Sequence, residues 1–232
     1  MKAYDVILLD ADMTLLDFEK SEEEALRRTL EKWGLPTHEE AVSTYSRINA
    51  ALWDAFARGE VDQDFIVVER FDALMRIYGE VGPARHMNRD YQSYLGEEAY
   101  LLPGAMEFCH ALKKSGRTLA IATNGLPVAQ RGRYDRLGMK DVIPNLFISM
   151  EMGVAKPRKE YFDRLLEMLG VTDRSRVIMI GDSLKTDVQG ANNAGLDSIW
   201  YNPRGEALSG PARPTYTVGT YGEILAILGI EA

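Results

Sequence analysis

One cysteine, Cys109, is all the thiol this 232-residue chain has, so no disulfide framework holds it and a buried apolar core must. Cys109 sits beside His110 in a stretch of helical pattern, where sequence neighbours point to different faces and form no dyad, so it reads as a core thiol. Long apolar runs are missing as well. Val6-Ile7-Leu8-Leu9 is cut short by Asp10 and Asp12, too brief for a signal peptide, and nothing later approaches the ~18 apolar residues of a membrane span. The reading is a cytoplasmic protein with no membrane partner. An excess of positive charge is missing too: 27 Lys and Arg stand against 35 Asp and Glu, and a formal charge of −8 repels a nucleic acid polymer. A small anion can still be bound where cations gather locally. No internal repeat is visible, and with 46% hydrophobic and 27% charged residues the composition excludes disorder and a fibrous class.

Three short β-branched runs end abruptly in polar residues: Val6 to Leu9 before Asp10, Leu119 to Ala122 before Thr123, and Val177 to Ile180 before Gly181-Asp182. Each predicts a buried strand of a parallel sheet. Weaker strand signals lie at Leu146 to Ser149 and Ser198 to Tyr201, with helical spacing between, as in Tyr161, Leu165, Leu166 and Leu169. The alternation predicts an α/β fold with a doubly wound parallel sheet, whose chemistry collects beyond the carboxyl ends of the strands. Asp10, Thr123 and Asp182 lie there.

From Asp17 to Tyr100 the pattern is helical, as in Val61, Phe65, Val68, Phe71, Met75 and Tyr78. The expected division is therefore an α/β core of residues 1–16 and 101–232, with a helical unit, 17–100, inserted after the first strand. Phe65 to Val68 resembles a strand but is read as helix, because the periodicity continues on both sides. Ser21 with Glu24 and Thr37 with Glu40 have capping-box spacing, and Gly34-Leu35-Pro36 breaks the chain between the helices they would open. Pro203 to Pro214 reads as a surface loop.

Four constellations carry candidate chemistry. Asp10-Ala11-Asp12-Met13-Thr14 places two carboxylates two residues apart, suited to a nucleophile and a general acid/base kept protonated by its surroundings; the plain alternative is a turn. Thr123-Asn124-Gly125 offers a hydroxyl and backbone N–H groups near a helix start, a phosphate seat or a simple cap. Lys156 is followed by Pro157, which suits a first helical position and would hold the lysine at the helix mouth; alone, a lysine is usually just solvated. Gly181-Asp182-Ser183-Leu184-Lys185-Thr186-Asp187 sets two acids five apart across a strand end. Carboxylates without His or Cys suit a hard cation such as Mg²⁺, and the bland alternative makes Asp182 a cap and Asp187 a first-turn charge.

Together they answer one physical need. A carboxylate approaching a phosphoryl group meets a like charge, which at ~4 Å costs ~4 kcal/mol at an effective dielectric near 20. Mg²⁺ and Lys156 would supply the missing positive charge, and Thr123, the Asn124 N–H and Lys156 would bind the equatorial oxygens of the transition state.

The ordered set Asp10-x-Asp12-x-Thr14, Thr123-Asn124, Lys156-Pro157 and Gly181-Asp182-x4-Asp187 resembles the haloacid dehalogenase superfamily over almost the whole chain. The resemblance implies that Asp10 is the nucleophile, Asp12 the general acid/base, and Thr123 and Lys156 the phosphate ligands. It implies Mg²⁺ held by Asp10, the Asp12 carbonyl and Asp182, with Asp187 a nearby metal ligand or an acid supporting the ligands, and it makes the helical insertion a cap. Asn49, Leu52-Trp53, Gly59, Arg70-Phe71 and Leu102-Pro103-Gly104-Ala105 resemble the pyrimidine 5′-nucleotidase branch. That implies a small phosphorylated metabolite as partner, a nucleoside 5′-monophosphate. Asn49 and Trp53, four apart, would share a helix face toward a base; the more common reading of such residues puts Trp53 with Phe56, Phe65 and Phe71 in the cap's core. Met13 departs from the acidic or small residue often seen there.

Among alternatives, a dehalogenase needs no acid at Asp12, and a phosphonatase needs a cap lysine, for which Lys20 and Lys32 are poor candidates. A phosphatase or phosphomutase for sugar or other small phosphates shares the same chemistry. A receiver domain lacks the insertion and Asp12, and a non-catalytic phosphate-binding module has no need of the full catalytic set.

Overall fold

In the computed structural model, which describes residues 3–231, Val6 to Leu9 forms β1 (Val6–Leu9), buried at every position between two neighbours. Those neighbours are β2 (Thr118–Thr123) and β4 (Val177–Gly181), and Leu8 pairs with Ala120 on one side and Met179 on the other. Covered on both faces, such strands show no polar alternation. β3 (Asn145–Ile148), β5 (Asp197–Tyr201) and β6 (Tyr216–Val218) complete a parallel sheet of order β3-β2-β1-β4-β5-β6. The order reverses between β1 and β4, where doubly wound sheets open a crevice. Asp10 and Asp182 emerge side by side at that point, tied by the Asp10 N–H to the Ile180 carbonyl at 2.9 Å. β6 was not foreseen, since three residues cannot display a periodicity.

Eight of the helices flank this scheme in chain order as α1 (Phe18–Lys32), α2 (Glu39–Ala57), α3 (Gln63–Ile77), α4 (Ala84–Glu97), α5 (Ala105–Lys114), α6 (Pro127–Arg136), α7 (Ser149–Met152) and α8 (Lys159–Met168). α9 (Gln189–Ala194) and α10 (Tyr221–Leu228) follow. Tyr161, Phe162, Leu165 and Leu166 of α8 pack on Leu8, Ala122 and Met179 of the sheet, so the helical spacing read there is a core-facing stripe. Cys109 is buried in α5, and burial pushes its thiol up to about 12. Among the described residues no helix is long and apolar enough to cross a membrane.

Contacts divide the chain into two compact units. The first comprises residues up to Asp17, Tyr100–Pro127 and everything from Leu137 onward; the second comprises Phe18–Ala99 and Val128–Arg136. The expected core range 101–232 is thus interrupted, because α6 packs with α1 and α4 through Ala129 and two glycines, Gly96 and Gly132.

Within the helical unit, Phe65 to Val68 is helix, in α3. Both expected capping boxes are wrong. α1 already starts at Phe18, which leaves Ser21 buried inside it, and α2 is capped by His38, whose ring accepts the Ala41 N–H at 3.2 Å. The true box is Thr220 with Glu223, opening α10. Tyr45, Phe71 and Tyr91 meet with ring centroids 5.1 to 5.7 Å apart at the centre of the unit. Beside them runs a buried polar chain. Glu22 accepts from Ser46 at 2.8 Å and Asn49 at 2.7 Å, the Asn49 carbonyl accepts from Arg70 at 3.3 Å, and Arg70 also donates to Asn88. One polar chain thereby ties α1, α2, α3 and α4.

Candidate active site

The turn leaving β1 is tight. Leu15 and Leu16 N–H both reach the Ala11 carbonyl at 2.9 Å, Met13 N–H reaches Leu16 at 2.8 Å, and Met13 takes φ 60°, a left-handed conformation disfavoured for a side chain of its size. Asp10 comes out buried and Asp12 half-buried, the latter bridged through its main chain to Leu16. Gly181 ends β4 for a local reason: a Cβ there would lie 2.2 Å from Asp187 Oδ2. Asp187 comes from the π-helical turn Leu184–Val188, a rare element enriched at functional sites, and the residue that caps that turn is Ser183 rather than Asp182.

Lys156 joins these acids. Its ammonium, 2% exposed as a residue, donates to Asp10 at 2.6 Å, Asp187 at 2.7 Å and the Ala122 carbonyl at 2.6 Å. Asp187 uses its other oxygen to accept the Ser183 N–H at 3.1 Å. Pro157 does not open a helix as expected; it lies in a turn, joined to Lys156 by a cis bond, and α8 begins only at Lys159 because Arg158 is its extended N-cap. The lysine is positioned instead by Asn124, whose side chain accepts the Lys156 N–H at 3.0 Å and donates to its carbonyl at 2.9 Å. Thr123, the last residue of β2, is buried, and its hydroxyl accepts the Gly125 N–H at 3.0 Å.

Electrostatically the cluster is short of positive charge. Burial, offset in part by Lys156 and reinforced by Asp187, pushes the Asp10 carboxyl up to about 7. Burial, with Asp10 and Asp187 adding repulsion, raises Asp182 well above the carboxylate range. Burial works against the Lys156 charge, yet Asp10 and Asp187 more than offset it and keep the ammonium protonated. Asp10, Asp182 and Asp187 each present an oxygen within 4.8 Å of the others. Three crowded carboxylates, all oxygen donors and held against one lysine, fit a hard divalent cation.

Sequence reasoning gave no role to three residues that hold this arrangement. The Thr14 hydroxyl accepts the Asp182 N–H at 3.1 Å and lies 3.5 Å from carboxylate oxygens of both Asp10 and Asp182. Its only signal was its place after the two acids. Trp200 donates to the Asp182 carbonyl at 2.8 Å, and Tyr221 to the Thr14 carbonyl at 2.8 Å. They come from β5 and α10, far along the chain, and carry no local motif.

Asn49 and Trp53 share α2 but not their surroundings. Asn49 is 2% exposed, with its amide engaged by Glu22 and Arg70, so it does not stand as an open reader of a ligand edge. Trp53 is half-buried and meets Phe56 edge-on, centroids 5.5 Å apart.

A family model described as haloacid dehalogenase-like hydrolase matches residues 4–195. The chain is 34% identical to the HAD-hydrolase YfnB of Bacillus subtilis, over 100% of this chain and 98% of that one. It is 32% identical to the pyrimidine 5′-nucleotidase PynA of Streptococcus pneumoniae, over 97% and 95%, and 33% identical to the pyrimidine 5′-nucleotidase YjjG of Escherichia coli, over 97% and 98%. The crystal structure of YfnB bound to magnesium matches with a TM-score of 0.92 across 99% of this chain and 100% of that one.

Proposed function

The chain belongs to the haloacid dehalogenase-like hydrolase family, and from that premise we propose that it is a Mg²⁺-dependent phosphatase acting through an aspartyl-phosphate on Asp10, with pyrimidine nucleoside 5′-monophosphates as substrates. The observation that carries the chemistry is Asp10 itself, buried at a strand end, fixed by Lys156 and crowded by Asp182 and Asp187. The choice of substrate rests on PynA and YjjG, both pyrimidine 5′-nucleotidases similar over nearly the whole chain.

An Asp10 oxygen attacks phosphorus, the bond from phosphorus to the ester oxygen breaks, and Asp12 gives that oxygen its proton. Water then attacks phosphorus and releases Asp10, and Asp12 takes the proton back. Thr123, whose hydroxyl is oriented by the Gly125 N–H, and the Asn124 N–H bind the phosphoryl oxygens, and Lys156 adds positive charge while holding Asp10. A divalent cation held by Asp10, the Asp12 carbonyl and Asp182 would offset the charge of the incoming phosphate. Asp187 lies beside that group, and its two hydrogen bonds make it the residue that orients Lys156 and the Ser183 loop. In the helical unit Trp53 offers a face for a base, while Asn49 serves the buried chain from Glu22 to Arg70.

Free-phosphate release from a panel of nucleotides and sugar phosphates, with and without Mg²⁺, tests this. Pyrimidine nucleotides should give the highest kcat/KM, and only with metal. A preference for sugar phosphates would overturn the substrate, and transfer to a second sugar without release of phosphate would make the protein a phosphomutase.

A further inference from the structure

Trp200 and Tyr201 are neighbours at the end of β5, so their side chains leave on opposite faces of the sheet. Trp200 enters an apolar cluster with Val188, Ala212 and Leu184, and its indole N–H donates to the Asp182 carbonyl at 2.8 Å. Tyr201 stacks on Tyr221 of α10 with centroids 5.0 Å apart and planes 9° apart, and Phe108 of α5 stacks on Tyr221 at 4.6 Å and 14°. Two near-parallel rings thus hold a third, whose hydroxyl donates to the Thr14 carbonyl at 2.8 Å.

Each of these bonds takes one end of a peptide group whose other end is held as well. In a trans peptide the carbonyl and the N–H point opposite ways, so fixing both fixes the plane. Trp200 takes the Asp182 carbonyl, and Asp187 accepts the Ser183 N–H at 3.1 Å. Tyr221 takes the Thr14 carbonyl, and the Ala11 carbonyl accepts the Leu15 N–H at 2.9 Å. Thr14 then joins the two peptides, because its hydroxyl accepts the Asp182 N–H at 3.1 Å. The Asp182 main chain is bonded at both of its polar groups, and side-chain torsions alone remain to aim its carboxylate. Before a cation arrives, that carboxylate presents an oxygen within 4.8 Å of oxygens of Asp10 and Asp187, which repel it when ionised. A loosely held loop would yield to that repulsion, and binding a cation would then have to order it again.

We propose that Trp200 and Tyr221 are positioning residues for the cation: they fix the Asp182–Ser183 and Thr14–Leu15 peptide planes, and so limit where the Asp182 carboxylate can point. The inference rests on the reading of Asp182 as a metal ligand. Both rings act through main-chain groups and through Thr14.

The test measures the Mg²⁺ Kd of substrate-free protein by titration calorimetry, kcat and KM for p-nitrophenyl phosphate at several Mg²⁺ concentrations, and Tm. Tyr221→Phe keeps the stacked ring and loses only the hydroxyl; Trp200→Phe keeps a ring among Val188 and Ala212 and loses the N–H. Each should raise the Mg²⁺ Kd by roughly tenfold, the lower end for groups that hold metal ligands in place, with turnover reduced at low Mg²⁺ and recovered at high. Tyr221→Phe decides the matter if Trp200→Phe does not fold. Leu166→Ala, in the apolar cluster of α8 that includes no residue of either turn, should lower Tm and leave the Kd alone. Folded aromatic variants with wild-type Kd would overturn the positioning role, as would a loss of turnover that no Mg²⁺ concentration restores or a Leu166→Ala protein whose Kd rises as much as theirs. A wild type that binds no Mg²⁺ would instead take down the metal reading and this inference with it.

Discussion

Both units of the molecule bury charge, and they do so differently. Around Lys156 the core gathers three carboxylates, Asp10, Asp182 and Asp187, against one ammonium, and two of those acids are raised, by burial first and by their acidic neighbours second. The chain in the helical unit has one acid, Glu22, and one base, Arg70, with the neutral amide of Asn49 between them. There burial also raises Glu22, but Ser46, Asn49 and Arg70 oppose the shift and the two charges cancel, so the pair joins helices without a further ion. An unbalanced cluster at a strand end is unstable by itself and becomes favourable only when a cation arrives, which is the state the proposed chemistry uses.

The largest effect is expected at Asp10. Asp10→Asn should abolish phosphate release with the fold retained, because the amide is nearly isosteric and cannot form an acyl-phosphate; wild-type-like release by a pure preparation would remove the proposed nucleophile. Asp12→Asn should slow turnover by ~10²–10⁴-fold, and by less for aryl than for alkyl esters, whose leaving oxygens need the proton more. Equal losses on both ester types would argue against Asp12 as the acid.

In the helical unit the effect should fall on stability instead. Arg70→Met leaves Glu22 buried without its counter-charge and should cost ~3–5 kcal/mol in a denaturant titration, while the folded variant keeps its kcat on p-nitrophenyl phosphate. Loss of kcat with stability unchanged would erase the distinction between the two clusters.

Metal and pH sharpen the contrast. An unfolded aspartate titrates near ~4, whereas folded Asp10 is pushed up to about 7, so without metal the folded state binds the extra proton between those values. Stability contributed by Asp10 is therefore full at acid pH and is lost as pH rises through about 7. Mg²⁺, favouring the ionised form, should stabilise by ~2.7 kcal/mol at a hundredfold excess over its Kd, and raise Tm more near pH 8 than near pH 5.5. A Tm shift independent of pH would contradict the unbalanced cluster. Smallest is the effect at Trp53: Trp53→Ala should cost ~1–3 kcal/mol in kcat/KM for a pyrimidine nucleotide and leave p-nitrophenyl phosphate unchanged, as expected for a lost stacking face.

What could be read from the sequence follows the same division. β1, β2 and β4 were legible because buried parallel strands carry unbroken apolar runs, and each leads to a residue of the site: Asp10 just after β1, Thr123 at the end of β2 and Asp182 just after β4. Thr14, Trp200 and Tyr221 were not, since their roles depend on hydrogen bonds between segments separated by up to 207 residues. Ser21 with Glu24 had the spacing of a capping box inside a helix that starts earlier, so spacing alone misplaced the helix end. Asn49 and Trp53 share one helix, but only the structure separates the one held in a polar chain from the one with an aromatic face. α6 followed a core strand in sequence and was assigned to the core, because the glycine crossing that draws it to α4 has no periodicity to betray it.

If Asp10 carries the phosphoryl group, the covalent species can be trapped on it. Enzyme turning over a pyrimidine nucleotide with Mg²⁺ is quenched in acid, reduced with borohydride, digested and mapped by mass spectrometry. An aspartyl-phosphate is reduced to homoserine, so conversion should appear at Asp10 alone and vanish without substrate. Steady turnover with Asp10 unmodified, or conversion at Asp12 or Asp182 in its place, would contradict the account.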